Sequence, residues 1–355
     1  MTTEMRIATA TDRALTNGDL LRQAGQAANR VAARHTFEEY RSRKAANTIR
    51  RQDADLALFA KYLLDVPGIE TGDLAHDTQA WAGVTWGLVE TFVKWMLDEG
   101  YATGSVNVRL SSVKTYAKLA AKAETLERSE YAMIRTVEGY RRKEAVNIDA
   151  GRSANGGAIR RGHKKAEPVT LTREQAQLLK EKHSDDGQGR RDHLLVCLLL
   201  DHGLRCGEVA GLTVGNLDLG DNGGFLGYLT FYRAKVDMTQ TIQLTPATLA
   251  AARTYLQGSG APAEGRLLLG STRAGHLTTK AMSTRAINKR IGTLGRRIGV
   301  ERLGPHDLRH TWATLAARAG TPLERLQQAG GWASVAMPLR YIEQAKIANA
   351  GVLLE

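Results

Sequence analysis

Residues 306–341 read HDLRHTWATLAARAGTPLERLQQAGGWASVAMPLRY and carry His306, Arg309, Trp332 and Tyr341 within one short span. A histidine and an arginine three positions apart fall on one side of a helical turn, where both can reach a single phosphate. Tyr341 is the only tyrosine in or after that stretch. Far upstream, GLRCGEVAGL (residues 203–212) presents Arg205 directly after an apolar run, where an unpaired guanidinium would be costly to bury. Two arginines and a phenol at these places predict an anion clamp beside a nucleophile, that is, chemistry on a phosphodiester.

Each role has a physical basis. Displacement at phosphorus needs fixed positive charge aimed at equatorial oxygens that gain charge in the transition state, and the planar forks of Arg205 and Arg309 can each hold two oxygens. A tyrosine hydroxyl titrates near ~10, so Tyr341 needs a base, and His306 has a side chain that titrates near working pH. The indole N–H of Trp332 can donate to a non-bridging oxygen but cannot serve as acid or base. Expelling the leaving oxygen requires a proton donor, for which Lys235, the one lysine between the runs FLGYLTF (225–231) and TQTIQL (239–244), is placed. Glu208 and His310 lie inside the same motifs as hydrogen-bonding supports. Taken singly, an arginine is more often a surface ion pair, a hairpin lysine a solvated edge charge and a tryptophan part of a core. Position beside the other motifs reverses the packed-ring reading for Tyr341, and Arg205 follows an apolar helix; for Trp332 the core reading stands as the rival.

Composition points the same way. The 355 residues hold 49 Lys+Arg against 37 Asp+Glu, a net charge of +12 that suits a nucleic-acid partner. Cys197 and Cys206 lie in or beside the apolar run 194–208, which reads as a buried helix rather than a disulfide framework or a metal knuckle. The first 19 residues lack a signal-peptide core, and no run approaches the ~18 apolar residues of a membrane span. A soluble protein of a reducing cytoplasm is expected. No phosphate-binding glycine loop and no metal-ligand spacing occurs, so the expected cofactor set is none and the expected metal none.

Along the chain, residues 1–36 are polar and alanine-rich and read as an arm. Residues 37–140 show helical periodicity, with Ile49, Leu56, Phe59 and Leu63 on one segment, then Trp81 to Leu97, then Val106, Leu110, Val113, Tyr116 and Leu119. Three or four amphipathic helices make a small all-α domain. Periodicity disappears across 141–168, where Gly, Ser and Asn mix with eight basic residues from Arg141 to Lys165, predicting a basic linker. Residues 169–355 open with a capping box at Thr172 and Gln175, pass through a buried helix around Leu194–Leu200, and continue with a two-stranded hairpin and helices from Thr245, from Thr279 and from His306. The fold class is mainly α, with a small antiparallel sheet in the second domain.

The motifs GLRCGEVAGL, HDLRHTWAT, AGGW and LRY, with Lys235 in a hairpin, resemble those of the tyrosine site-specific recombinases, or phage-type integrases, over roughly residues 37–345. Trp332 stands where most members have a second histidine; with STRA (283–286) this makes the Cre-type recombinases the nearest comparison. The resemblance implies a SAM-like helical core-binding domain and a helical catalytic domain forming a C-shaped clamp around double-stranded DNA. It implies cleavage through a 3′-phosphotyrosyl intermediate and exchange through a Holliday junction, without ATP or metal. Arg205, Lys235, His306, Arg309, Trp332 and Tyr341 would be catalytic, and Arg285 would read guanine in the major groove. Thr48, Arg50, Arg51 and Lys114 would touch phosphates or base edges, with Arg141 and Arg142 following the backbone. An inverted-repeat core site and a homotetramer follow from exchanging strands between two duplexes, with the apolar tail KIANAGVLLE (346–355) docking head-to-tail in a neighbour. Such a protein would be encoded by a bacterium, phage or mobile element and associate with the nucleoid. A type IB topoisomerase or telomere resolvase, which breaks and rejoins DNA without exchanging partners, and a non-catalytic DNA-binding regulator are the alternative readings.

Overall fold

The computed structural model describes residues 16–154, 168–220 and 224–345. The chain divides into two compact units, residues 1–164 and 165–355.

The first unit is all-helical among its described residues. It comprises α1 (Asn17–Ala33), α2 (Thr36–Ser42), α3 (Ala46–Asp65), α4 (Trp86–Asp98), α5 (Thr103–Lys122), α6 (Arg128–Thr136) and α7 (Arg142–Ala154). The periodic apolar positions meet in one core, where Phe59, Trp81, Phe92, Val106, Val113 and Tyr116 are completely enclosed. Phe59 and Phe92 pack at 5.0 Å between ring centroids, and Trp81 donates its indole N–H to the Leu74 carbonyl at 2.9 Å. The run Trp81–Leu97 is not one helix: Trp81 ends a short 3-10 turn, and α4 starts afresh where Thr85 caps Leu88. Helix α1 has no buried residue, so the arm is helical from Asn17 but contributes nothing to the core. The stretch expected to be aperiodic begins as helix α7. Its Arg152 donates to the carbonyls of Tyr101 and Leu97 at the end of the α4 segment, an anchor that hydrophobic periodicity does not register.

The second unit contains α8 (Arg173–Glu181), α9 (Gly187–Leu200), α10 (Cys206–Gly211), β1 (Leu217–Asp218), β2 (Tyr228–Arg233), β3 (Met238–Gln243), α11 (Pro246–Leu256), β4 (Leu269–Ser271), β5 (Leu277–Ala281), α12 (Thr284–Arg297), α13 (Pro305–Arg318), α14 (Leu323–Gly330) and α15 (Ala336–Ala345). Thr172 and Gln175 form the reciprocal capping box that starts α8. Helix α9 is buried at every position from Leu194 to Leu200 and forms the centre on which α8, α11 and α13 pack. Strands β1, β2 and β3 form an antiparallel sheet in that order, and β2 pairs with β3 from Tyr228↔Gln243 to Arg233↔Met238. The hairpin therefore turns two residues later than its apolar run implies, over 234–237, because Tyr232 and Arg233 continue the ladder. A second sheet, β4 with β5, occupies the place where helix was expected from Thr279, and α12 starts only at Thr284, capped by Ser283. The Asp307 carboxylate accepts from Gly304 N–H at 2.7 Å and from Val169 N–H at 3.0 Å, so the first turn of α13 is tied to the entry of the domain.

Candidate active site

Four separate elements deliver the side chains. Arg205 sits at the N-cap of α10, His306, Arg309 and His310 lie on the first turns of α13, Trp332 follows α14, and Tyr341 lies on α15. Lys235 is exposed in the turn between β2 and β3.

What draws them together is the end of α14. A helix leaves its last carbonyls without intrahelical partners and carries partial negative charge there. Here three guanidinium groups take them in succession. Arg233 donates to the Ala329 carbonyl at 2.9 Å, Arg309 and Arg233 to that of Gly330 at 2.7 and 3.3 Å, and Arg205 to that of Gly331 at 2.9 Å. Gly331 is left-handed, with φ 57 and ψ 52, which reverses the chain and presents these oxygens. A Cβ there would lie 2.6 Å from Cδ of Arg233.

Glu208 supplies the negative charge. It accepts from Arg205 Nη1 at 2.7 Å, from Arg205 N–H at 2.8 Å and from Arg233 Nη1 at 3.0 and 3.1 Å. Arg309 also donates to the Gly203 carbonyl and lies 4.5 Å over the Trp332 ring. Burial, then the charge of Arg205, lowers its pKa to about 10, which leaves it cationic at neutral pH. Three guanidinium groups against one carboxylate leave this cluster at 3 − 1 = +2.

Around the cations lie rings. Trp332 stacks on Trp312 at 6.0 Å and lies 5.8 Å from Tyr341. Tyr341 is 4% exposed, and its ring meets that of His310 edge-on at 4.7 Å; His310 in turn meets His306 at 6.3 Å. Among the described residues the Tyr341 hydroxyl has no hydrogen-bond partner. Burial raises its pKa above the usual phenol value, against the opposing pull of Arg309 and Arg340. The phenol is therefore protonated at neutral pH. His306 moves the other way: desolvation, then Arg309, Arg205 and Lys235 outweigh Asp307 and depress its pKa, so its imidazole is neutral and able to accept a proton. His310 is depressed as well, by desolvation and by His306.

The structure thus gathers Arg205, Glu208, His306, Arg309, His310, Trp332 and Tyr341 in one place, and Lys235 acts on His306 through its charge. Arg285 is exposed on the first turn of α12. Thr48, Arg50 and Arg51 lie on α3, where Arg51 binds Asp55 at 2.6 Å and Arg50 binds Asn47 at 2.6 Å. Lys114, on α5, already donates to the Arg135 carbonyl at 2.9 Å, and desolvation lowers its pKa. Arg141 precedes α7; the side chain of Arg142 and the tail 346–355 lie outside the described residues. Among the described residues no group of three or more His, Cys, Asp or Glu side chains is placed to hold a metal ion. Sequence reading missed Arg233. Its signal was the alternation in β2, which turns Leu229, Phe231 and Arg233 inward together.

Residues 169–347 match the family model described as the phage integrase family. Tyrosine recombinase XerC of Pseudomonas entomophila strain L48 is 33% identical over 185 residues, covering 51% of this chain and 58% of that protein. Tyrosine recombinase XerA of Pyrococcus furiosus is 27% identical over 244 residues, 69% of this chain and 78% of that one. The chain thus spans little more than half the length of the XerC relative. Two solved structures share the fold: the Tn1549 transposon integrase in complex with transposon right end DNA, and a lambda integrase dimer bound to a COC′ core site. The first has a TM-score of 0.60 and 16% identity and covers 90% of this chain and 96% of that one. The second has a TM-score of 0.57 and 13% identity, with coverages of 86% and 92%.

Proposed function

The chain belongs to the phage integrase family of tyrosine recombinases, and from that premise we propose that it is a site-specific DNA recombinase that cuts and rejoins strands through a bond between Tyr341 and a 3′-phosphate. The observation that carries this reading is the +2 cluster of Arg205, Arg309, Arg233 and Glu208 beside a protonated, buried phenol. A phosphodiester brings one negative charge and the attacking phenolate a second, so the transition state matches the cluster's charge.

In the proposed reaction His306 takes the Tyr341 proton, the phenol oxygen bonds to phosphorus, and the bond from phosphorus to the 5′-oxygen breaks. Lys235, on its exposed turn, hands a proton to the departing 5′-oxygen. Arg205 and Arg309 hold the non-bridging oxygens, with the Trp332 indole N–H as a further donor. The phosphotyrosyl link keeps the energy of the broken bond, so attack by a 5′-hydroxyl from a second duplex reverses the step without ATP, leading through a Holliday junction. Four cleavages require four protomers. On this reading Arg285, Arg50, Thr48, Arg51, Lys114, Arg141 and Arg142 supply the DNA contacts that select an inverted-repeat site. The test is incubation with duplexes nicked beside the cleavage position, which trap the adduct because the short leaving strand diffuses away. The wild-type chain is expected to form a denaturant-stable protein–DNA adduct and Tyr341→Phe none; an equal adduct with Tyr341→Phe overturns the assignment.

A further inference from the structure

Arg233 is fully enclosed, yet each nitrogen of its guanidinium group is engaged in the site's frame. Its Nε donates to Gln240 Oε1 at 2.5 Å across the hairpin, its Nη1 to both Glu208 oxygens and to the Gly330 carbonyl, and its Nη2 to the Ala329 carbonyl. The ring of Phe231 lies 4.8 Å beneath it. With no exposed surface it cannot touch DNA. A buried ion pair is also weak support for stability, since an apolar side chain of similar size often serves as well. What the position does provide is geometry: Arg233 is two residues from Lys235 on the same strand and turn, shares Glu208 with Arg205, and grips the turn that carries Trp332.

We propose that Arg233 is a positioning residue that locks the Lys235 hairpin, the Arg205 guanidinium and the Trp332 turn into one rigid frame. A lysine could not replace it, because a single ammonium cannot aim donors at a carboxylate, two carbonyls and an amide at once. The freedom from a side chain at Gly331 is the matching requirement on the other wall, since a Cβ there would fall on Arg233.

This inference rests on the recombinase reading, and its test separates the two. The full-length wild-type chain first captures nicked duplexes from a library randomised around the nick, and the captured sequence becomes the probe. Single-turnover adduct formation is then followed against probe concentration for wild type, Arg233→Met, Arg233→Lys and Arg233→Met with Glu208→Gln. A group that only positions reacting groups is expected to lower the saturating rate by about 10²-fold in Arg233→Met while shifting half-saturation by less than about threefold. The double variant is expected to be slower than Arg233→Met, because Glu208→Gln takes the carboxylate from Arg205 as well. If Arg233→Met does not fold, Arg233→Lys carries the test, with a rate reduced by at least about tenfold. A wild-type saturating rate in the folded variant, or a loss confined to half-saturation, overturns the positioning role alone. Failure of the wild-type chain to capture any duplex overturns the recombinase reading and this inference with it.

Discussion

At the scale of the residue, the site is a set of protonation states as much as a set of positions. Tyr341 is held as a phenol by burial, and His306 is held as a neutral imidazole by desolvation and by neighbouring cations. Because the His306 pKa lies below its ordinary 6.5, its basic form dominates at neutral pH and is lost only as pH falls through the lowered value. The rate of adduct formation is therefore expected to be flat from about pH 7 to 8 and to fall about tenfold per unit on the acid side, with the break below 6.5. A break above pH 7, or His306→Gln showing the same acid limb, would contradict the assignment of the base. That Arg205, His306, Arg309, Trp332 and Tyr341 would meet in one place was legible in the sequence from the combination of their short motifs rather than from any one residue type. Arg233 was not, because an arginine at the end of a strand reads as solvated until the inward register of Leu229 and Phe231 is extended to it.

At the scale of the element, the end of α14 is the device that assembles the site. Three cations satisfy successive carbonyls that the helix leaves open, and the left-handed Gly331 makes the turn possible. Gly331→Ala is expected to destabilise the second unit by about 2–4 kcal/mol, combining the left-handed backbone with overpacking on Arg233. Gly320 also has a positive φ, of 81°, but nothing lies within 4 Å of its would-be Cβ, so Gly320→Ala is expected to lose only about 1–2 kcal/mol. Urea unfolding of the two variants checks the difference; equal losses would show that contact with Arg233 does not matter. Elements whose apolar faces repeat, such as α3, α5 and α9, were readable from the pattern. The β4–β5 pair was not, for its burial shows no alternation and its residues Thr278, Thr279 and Lys280 resemble the polar start of a helix. Helix α7 escaped for the opposite reason, because polar anchoring through Arg152 leaves no hydrophobic period to follow.

At the scale of the whole molecule, the charge of +12 and two compact units of ordinary size suit a protein that handles DNA with one part and reacts with it in another. The proposed exchange between duplexes would add a requirement that one copy cannot meet, and the apolar tail beyond Ala345 is the segment proposed to reach a neighbouring copy. Deleting the chain from Ala345 onward is expected to leave binding of a single duplex within about threefold while abolishing the joined two-duplex complex in a native gel. Unchanged recombination by the shortened chain would refute that role. Everything proposed turns on one bond, from the Tyr341 phenol oxygen to one phosphorus held by Arg205 and Arg309. Mass spectrometry of the trapped adduct, after nuclease and protease digestion, tests it most directly. A nucleotide remnant on the peptide that contains Tyr341, localised to the phenol oxygen, is the expected result; a remnant on any other residue would contradict it.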